Sequence, residues 1–146
     1  MNELVLNELS TSRLDVGVVR KDTVQAAVAA GTALTVTIAQ IRNGILRMDP
    51  TADKAWTLPT AALAVAGVDG VQVNDSIDFS IINIGTAGAD EIITLAAGTG
   101  GTLVGSGAVL TSNAVDDAFS SGSGLFRLQF DNVTADSEAI SCYRLA

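Results

Sequence analysis

The stretch Trp56-Thr57-Leu58-Pro59-Thr60-Ala61-Ala62-Leu63-Ala64-Val65-Ala66-Gly67, followed by Val71-Gln72-Val73-Asn74-Asp75-Ser76-Ile77-Asp78-Phe79-Ser80-Ile81-Ile82-Asn83, decides how this chain is read. It predicts a strand, a tight turn, one or two helical turns over 61–66, a second turn and a long strand. Pro59 lacks a backbone donor and presets φ ahead of the helix. Thr60 stands where a side chain caps the first free N–H groups, and Gly67 where a left-handed residue ends the helix. Leu58, Leu63 and Val65 form an apolar plug for the sheet that the next strand supplies. In that strand Ile77, Phe79 and Ile81 fall on one face and Asp78, Ser80 and Ile82 on the other.

Upstream, Leu34, Val36 and Ile38 alternate with Thr35 and Thr37, the pattern of a half-buried strand, and 39–42 makes one turn. Asn43-Gly44 marks a reversal, and Ile45, Arg47 and Asp49 alternate with Leu46 and Met48. Asp49-Pro50-Thr51-Ala52-Asp53 then reads as a hairpin turn, with a returning strand over 54–58. Downstream come strands over 91–96, 102–104 and 108–111, and a small polar loop over 112–123. In 125–131, Phe126, Leu128 and Phe130 face one way and Arg127, Gln129 and Asp131 the other. A last strand runs over 138–145. Short strands, Gly-rich turns and almost no helix predict an all-β domain over 33–146. The expected form is an antiparallel β-sandwich or jelly roll with one short helix near 61–66. Residues 1–32 differ: apolar spacing is irregular, and Arg13, Arg20 and Lys21 gather the early positive charge. They read either as an edge strand with a connector or as an arm that orders on a partner.

Composition narrows the function. Eight basic against sixteen acidic residues leave a formal charge of −8, so phosphate backbones and anionic lipid would repel the chain, and neither nucleic acid nor a membrane is an expected partner. Mean hydropathy is high at +0.41, yet Thr, Ser, Asp and Gly interrupt every apolar run before a membrane-spanning length. The acidic start, with Glu3 and Glu8, does not read as a secretory signal. A lone cysteine, Cys142, excludes an internal disulfide and fits synthesis in a reducing compartment. Few aromatics among many Ala, Val, Ile, Thr and Gly describe thin β-layers, which point to completion by further copies of the chain.

The absence of histidine removes Ser-His-Asp and Cys-His catalysis and the commonest zinc and iron ligand. Thr51-x-x-Lys54 is the nearest approach to a Ser/Lys arrangement and falls in the expected hairpin turn. Asp75 with Asp78, Asp90 with Glu91, and Asp116 with Asp117 are the carboxylate pairs available for acid/base work. With Trp56 and Tyr143 the only large polar aromatics, solvated loop carboxylates are the better reading. Asp69, Asp75 and Asp78 are the candidates for weak calcium binding, although no calcium-loop pattern joins them. The glycine runs at 98–107 and 122–124 lack phosphate-binding spacing and read as turns. Asn132-Val133-Thr134 has the form of a glycosylation acceptor without a secretory context. Cys142 reads as a small buried apolar residue, and Trp56 as core or subunit contact. No catalytic residue, cofactor site or metal site is expected, and no enzyme.

Three segments carry a resemblance. Asn43-Gly44-Ile45-Leu46-Arg47-Met48-Asp49-Pro50 leads to Thr57-Leu58-Pro59-Thr60-Ala61-Ala62. Asn74-Asp75-Ser76-Ile77-Asp78-Phe79 leads to Ile82-Asn83 and Leu95-Ala96-Ala97-Gly98-Thr99-Gly100. Phe126-Arg127-Leu128-Gln129-Phe130-Asp131-Asn132-Val133-Thr134 leads to Glu138-Ala139-Ile140 and Tyr143-Arg144. In cadence, over roughly 34–146, the chain resembles the small virion proteins of tailed bacteriophages that decorate or cement the capsid. The resemblance implies a sandwich or jelly-roll homotrimer on the outer shell, made in the host cytoplasm, whose partners are the major capsid protein and itself. Many weak copies would then sum to a large stabilisation. The alternative from another class is a tail or head-fibre module binding a host receptor or glycan, which would be marked by aromatics clustered on loops.

Overall fold

The computed structural model describes residues 34–50, 52–85, 91–110 and 122–146. The expected boundary at 32/33, the reading of 1–32 and the polar loop after 111 lie outside these residues or at their margin. The described elements are β1 (Leu34–Thr35), α1 (Ile38–Arg42), β2 (Ile45–Met48), β3 (Lys54–Thr57), α2 (Ala61–Ala66), β4 (Ser76–Asn83), β5 (Ile93–Ala96), β6 (Gly101–Val104), β7 (Ala108–Val109), β8 (Ser123–Asn132) and β9 (Ala139–Arg144). The protein is mostly β, with two short helices among these residues.

The strands form a four-stranded sheet, β1-β3-β5-β7, and a five-stranded sheet, β2-β4-β8-β9-β6. From β1 to β8 successive strands alternate between the two sheets, so a strand returns to its own sheet two elements later and often in the same direction. Parallel ladders therefore join β1 to β3, β3 to β5 and β2 to β4, and a further one joins β6 to β9. Antiparallel ladders join β5 to β7, β4 to β8 and β8 to β9. The sheets are mixed, where the sequence reading expected purely antiparallel ones. The expected hairpin at 49–53 is also absent, because that segment carries the chain from one sheet to the other: β2 pairs with β4, and β3 pairs with β1 and β5.

One hydrophobic core takes side chains from both sheets: Trp56, Ile93, Leu95 and Val109 from the smaller, and Leu46, Met48, Phe79, Ile81, Phe126, Leu128, Phe130, Ile140 and Cys142 from the larger. Alternation in β4 and β8 buries Phe79, Ile81, Phe126, Leu128 and Phe130, with Ile77 only partly buried at the start of β4, and Phe79 and Phe126, paired in register, stack with ring centroids 5.6 Å apart. Trp56 is core.

The helices show where local chemistry overrides a simple period. The strand pattern expected through Ile38 stops at Thr35, because Thr37 and Gln40 form a capping box. The Thr37 hydroxyl accepts from the Gln40 N–H at 3.2 Å, and Gln40 Oε1 accepts from the Thr37 N–H at 2.8 Å. In α2 the Thr60 hydroxyl accepts from the Leu63 N–H at 3.3 Å, as expected. The buried face is Ala61 and Ala64, however, and Leu63 points outward at 61% exposure. A short helix lying close against the 98–101 turn has room for methyl groups only: the Ala61 N–H donates to Thr99 C=O at 2.9 Å, and a Cβ on Gly100 would stand 2.9 Å from that of Ala61. Gly67 does not take the expected left-handed conformation; its φ is −88°. Its lack of a side chain serves packing, since a Cβ there would meet Ile38 Cγ2 at 2.1 Å.

Candidate functional site

The carboxylates singled out for chemistry are not brought together. Asp78 lies opposite Arg127 across the β4–β8 ladder and accepts from its Nε at 2.7 Å and its Nη2 at 2.8 Å, a fork-to-fork pair. That hydrogen bond, and then the charge of Asp78, raise the Arg127 pKa. Asp75 accepts from the Gln72 N–H at 2.9 Å and closes the turn before β4, where Asn74 sits at φ 72° and accepts from Gln129 Nε2 at 3.3 Å. Asp69 is exposed on the connection from α2 to β4. Among the described residues no group of three or more His, Cys, Asp or Glu side chains could hold a metal ion. Asp90, Asp116, Asp117 and Thr51 lie outside the described residues.

Glu91 departs from its reading as a solvated loop carboxylate. It is 3% exposed, and its Oε2 has no hydrogen-bond partner among the described residues. It adjoins Asn83, the other buried polar side chain, whose amide donates to Glu91 C=O at 2.9 Å and Val109 C=O at 3.2 Å while its oxygen accepts from the Gly85 N–H. This amide ties β4, in one sheet, to β7 in the other and to Glu91, two residues ahead of β5. Trp56 Nε1 is likewise buried without a partner among these residues. Cys142 is buried, and burial pushes its thiol pKa up to about 12, the opposite of a reactive thiol. Asn132 accepts from the Thr134 N–H at 3.0 Å and serves the β8–β9 turn. Gly98 and Gly107 stand where chains nearly touch: an added Cβ would lie 2.4 Å from Leu58 O and 2.1 Å from Leu95 O respectively.

What the fold does assemble is two outer sheet faces of contrasting character. On the four-stranded sheet, register and alternation line up Thr35, Thr57 and Ala96 in one row and Ala55, Thr94 and Ala108 in the next. Along most of its length this face carries small side chains, and in the next row the same alternation sets half-buried Ile92 beside Leu110, which is 52% exposed. On the five-stranded sheet, one row holds Asp78, Arg127, Tyr143 and Val104, and the neighbouring row runs from Ile45 and Ser80 to Leu125. Past the end of β9 the pairing continues, Leu145 N–H donating to Leu125 C=O at 2.8 Å, so that Leu145 lies beside Leu125 and two residues along from Tyr143. Leu125, Leu145 and Val104 are among the large hydrophobics left exposed, at 39%, 46% and 43%.

Sequence reasoning missed this surface. The alternation that placed Arg127 outward also places Leu125 outward, but the proximity of Val104 and Leu145 depends on ladders between distant segments. No helix among the described residues is long and apolar enough to cross a membrane. Comparison with known proteins finds no family model, no curated protein and no solved structure that matches this chain.

Proposed function

We propose that this chain is a structural virion protein of a tailed bacteriophage: a non-enzymatic capsid decoration, or cement, protein that binds the outer shell as a homotrimer and bridges neighbouring coat subunits. We read its domain as a jelly-roll-like variant in which parallel ladders replace some antiparallel ones. The observation that carries the reading, beside the resemblance in cadence, is the pair of broad outer faces with different chemistry on one two-sheet body. A cementing protein needs one surface for its own copies and another for the coat, and it needs no reactive centre. The way the carboxylates are used agrees with this, since Asp78 is held by Arg127 and Asp75 closes a turn. Among the described residues Trp56, Phe79, Phe126 and Phe130 are buried and Tyr143 is the aromatic nearest the surface, while Phe119, in the loop expected over 112–123, lies outside them.

Copy number in purified particles, measured by quantitative mass spectrometry against the major coat protein, tests the proposal. Hundreds of copies per particle are expected. A few to a few dozen would move the protein to a tail, vertex or fibre, and none would end the virion reading.

A further inference from the structure

We infer that Asn43 is a modification site: it loses its side-chain amide through a cyclic imide formed with Gly44, and the native corner between α1 and β2 holds that reaction shut until the corner opens. The Gly44 backbone nitrogen gives up its proton and bonds to Asn43 Cγ, the side-chain Cγ–N bond breaks, and ammonia leaves. Water then opens the five-membered ring at either carbonyl. The product is an aspartate at 43 or its isomer, in which the main chain runs through the side-chain carbon. Asn43-Gly44 is the single Asn-Gly pair in the chain. The other described asparagines, Asn74, Asn83 and Asn132, precede Asp75, Ile84 and Val133, whose Cβ atoms crowd the attacking nitrogen as glycine does not. Nothing in this chemistry depends on where the protein acts.

Burial does not protect the pair, since Asn43 and Gly44 are both only half-buried. Backbone geometry does. The ring closes when the Gly44 nitrogen eclipses the Asn43 Cβ about the Cα–C bond. Asn43 ends α1 at φ −68° and ψ −18°, which for a tetrahedral L-residue leaves the nitrogen roughly 100° of rotation short. The Gly44 N–H also donates to Ile41 C=O at 3.0 Å, so the proton it must lose is held, and the Asn43 N–H donates to Gln40 C=O at 3.1 Å. On the other side, Gly44 C=O accepts from the Ser80 N–H at 2.7 Å, in the register that sets Ile45 beside Ser80. Both peptide groups of Gly44 are thereby tied, one to α1 and one to β4. Ile41 and Leu46, 0% and 1% exposed, anchor the corner on either side. The rotation therefore requires the end of α1 and the start of the β2–β4 ladder to let go. The product does not fit the place it left: the isomer adds a carbon to the main chain just ahead of β2, and aspartate sets a new negative charge where the α1 carbonyls end. Opening of this corner thus leaves a permanent chemical mark.

The test incubates the full chain in mildly alkaline buffer, native and in guanidinium chloride. Trypsin, cutting after Arg42 and Arg47, releases 43–47, and mass spectrometry follows its amide-to-acid conversion; digestion in isotope-labelled water marks any conversion that occurs during digestion. Unfolded, Asn43 is expected to react ahead of Asn74, Asn83 and Asn132. In the native chain its reaction should be slower by about a hundredfold or more, because only the open fraction reacts. Thr37→Ala, which weakens α1 from its other end, should speed the native reaction by about fivefold and leave the unfolded rate unchanged. Equal native and unfolded rates would overturn the inference. So would an Asn43 that stays intact in guanidinium while Asn74 or Asn132 reacts, or a Thr37→Ala chain with a lowered urea midpoint that deamidates no faster than the wild type.

Discussion

Gly67→Ala is the substitution that most sharply tests the packing described here. The backbone at Gly67, φ −88° and ψ 4°, is open to alanine, so the cost arises from contact alone. The added Cβ would stand 2.1 Å from Ile38 Cγ2 and 3.2 Å from Leu63 O, against a carbon–carbon optimum of about 3.5–4.0 Å. Ile38 opens α1 and is β-branched, so it is stiff at χ1 and cannot swing the methyl aside cheaply. Overpacking of this kind costs about 1–3 kcal/mol, offset by about 0.4–1 kcal/mol from the stiffer unfolded chain. Ile38→Ala alone, at a position 8% exposed, should cost about 2–4 kcal/mol. In that background the new methyl meets the residue-38 Cβ at 3.4 Å and Leu63 O at 3.2 Å, the 2.1 Å clash being gone. Gly67→Ala should then be neutral or stabilising by up to about 1 kcal/mol, a coupling of about 1–3 kcal/mol between the two sites. The cycle is read from urea midpoints followed by the emission of Trp56, the only tryptophan and fully buried, at fixed protein concentration. Additivity within about 0.5 kcal/mol would refute the contact. So would Gly67→Asn being milder than Gly67→Ala, since asparagine tolerates a left-handed backbone but not a filled space.

The other glycines, the caps and the thiol extend the reasoning. Gly107→Ala drives a Cβ to 2.1 Å from Leu95 O, a backbone atom that cannot step aside, and should cost about 3 kcal/mol or more. Gly70→Ala, at φ +67° in open space, should cost only about 1 kcal/mol; equal urea midpoints for the two would contradict the close approach. Thr37→Ala and Thr60→Ala should each lower stability by about 1 kcal/mol, the Gln40 Oε1 bond to the residue-37 N–H surviving the first because it uses only the backbone; the thermal midpoints decide. Cys142 keeps its proton to about pH 12 in the fold against about 9 for the unfolded thiol. The unfolded chain therefore releases the proton first, and stability falls between pH 9 and pH 12 by up to about 1.4 kcal/mol per pH unit from this group. Below pH 9 the group contributes no slope, and Cys142→Val should remove its share of the alkaline loss in a pH series of denaturant midpoints.

Elements whose signal is local were legible in the sequence. Thr60 capped its helix, and Phe79, Ile81, Phe126, Leu128 and Phe130 turned inward on period two. The last two strands, expected over 125–131 and 138–145, lie where β8 and β9 are found. The partners of the earlier strands were not legible, because Asp49-Pro50-Thr51-Ala52-Asp53 says that the chain turns and not in which plane. A turn within the sheet gives an antiparallel hairpin; a turn between sheets defers pairing until the chain returns, as when Leu34 meets Trp56 and Lys54 meets Ile93. Misreading α1 had a different cause. Leu34, Val36 and Ile38 do alternate, but Thr37 and Gln40 satisfy each other's backbone N–H groups, and that local exchange outweighs two more residues of strand. Leu63 was placed in the core on hydrophobicity alone, when the tight approach of α2 to the 98–101 turn admits only alanine.

The candidate surface was the least legible part for a reason built into the winding. Its members come from β6, β8, β9 and the residue after β9, and no window of sequence contains them all. What makes them neighbours is register. On β6 a slip by one residue would turn Val104 inward and Leu103 outward, exchanging an exposed side chain for one packed against the core. Two glycines in left-handed conformation bracket that strand, Gly100 at φ +75° and Gly105 at φ +93°. The Gly100 carbonyl accepts from the Ile140 N–H at 3.1 Å, and Gly105 lies so close to Arg144 that a Cβ would stand 3.0 Å from its Cβ. A side chain at either end would press the strand away from β9 or out of its turn. The glycines at 100 and 105, read from the sequence as loop punctuation, thus fix the register that holds Val104 beside Tyr143, and with it the continuity of the apolar face.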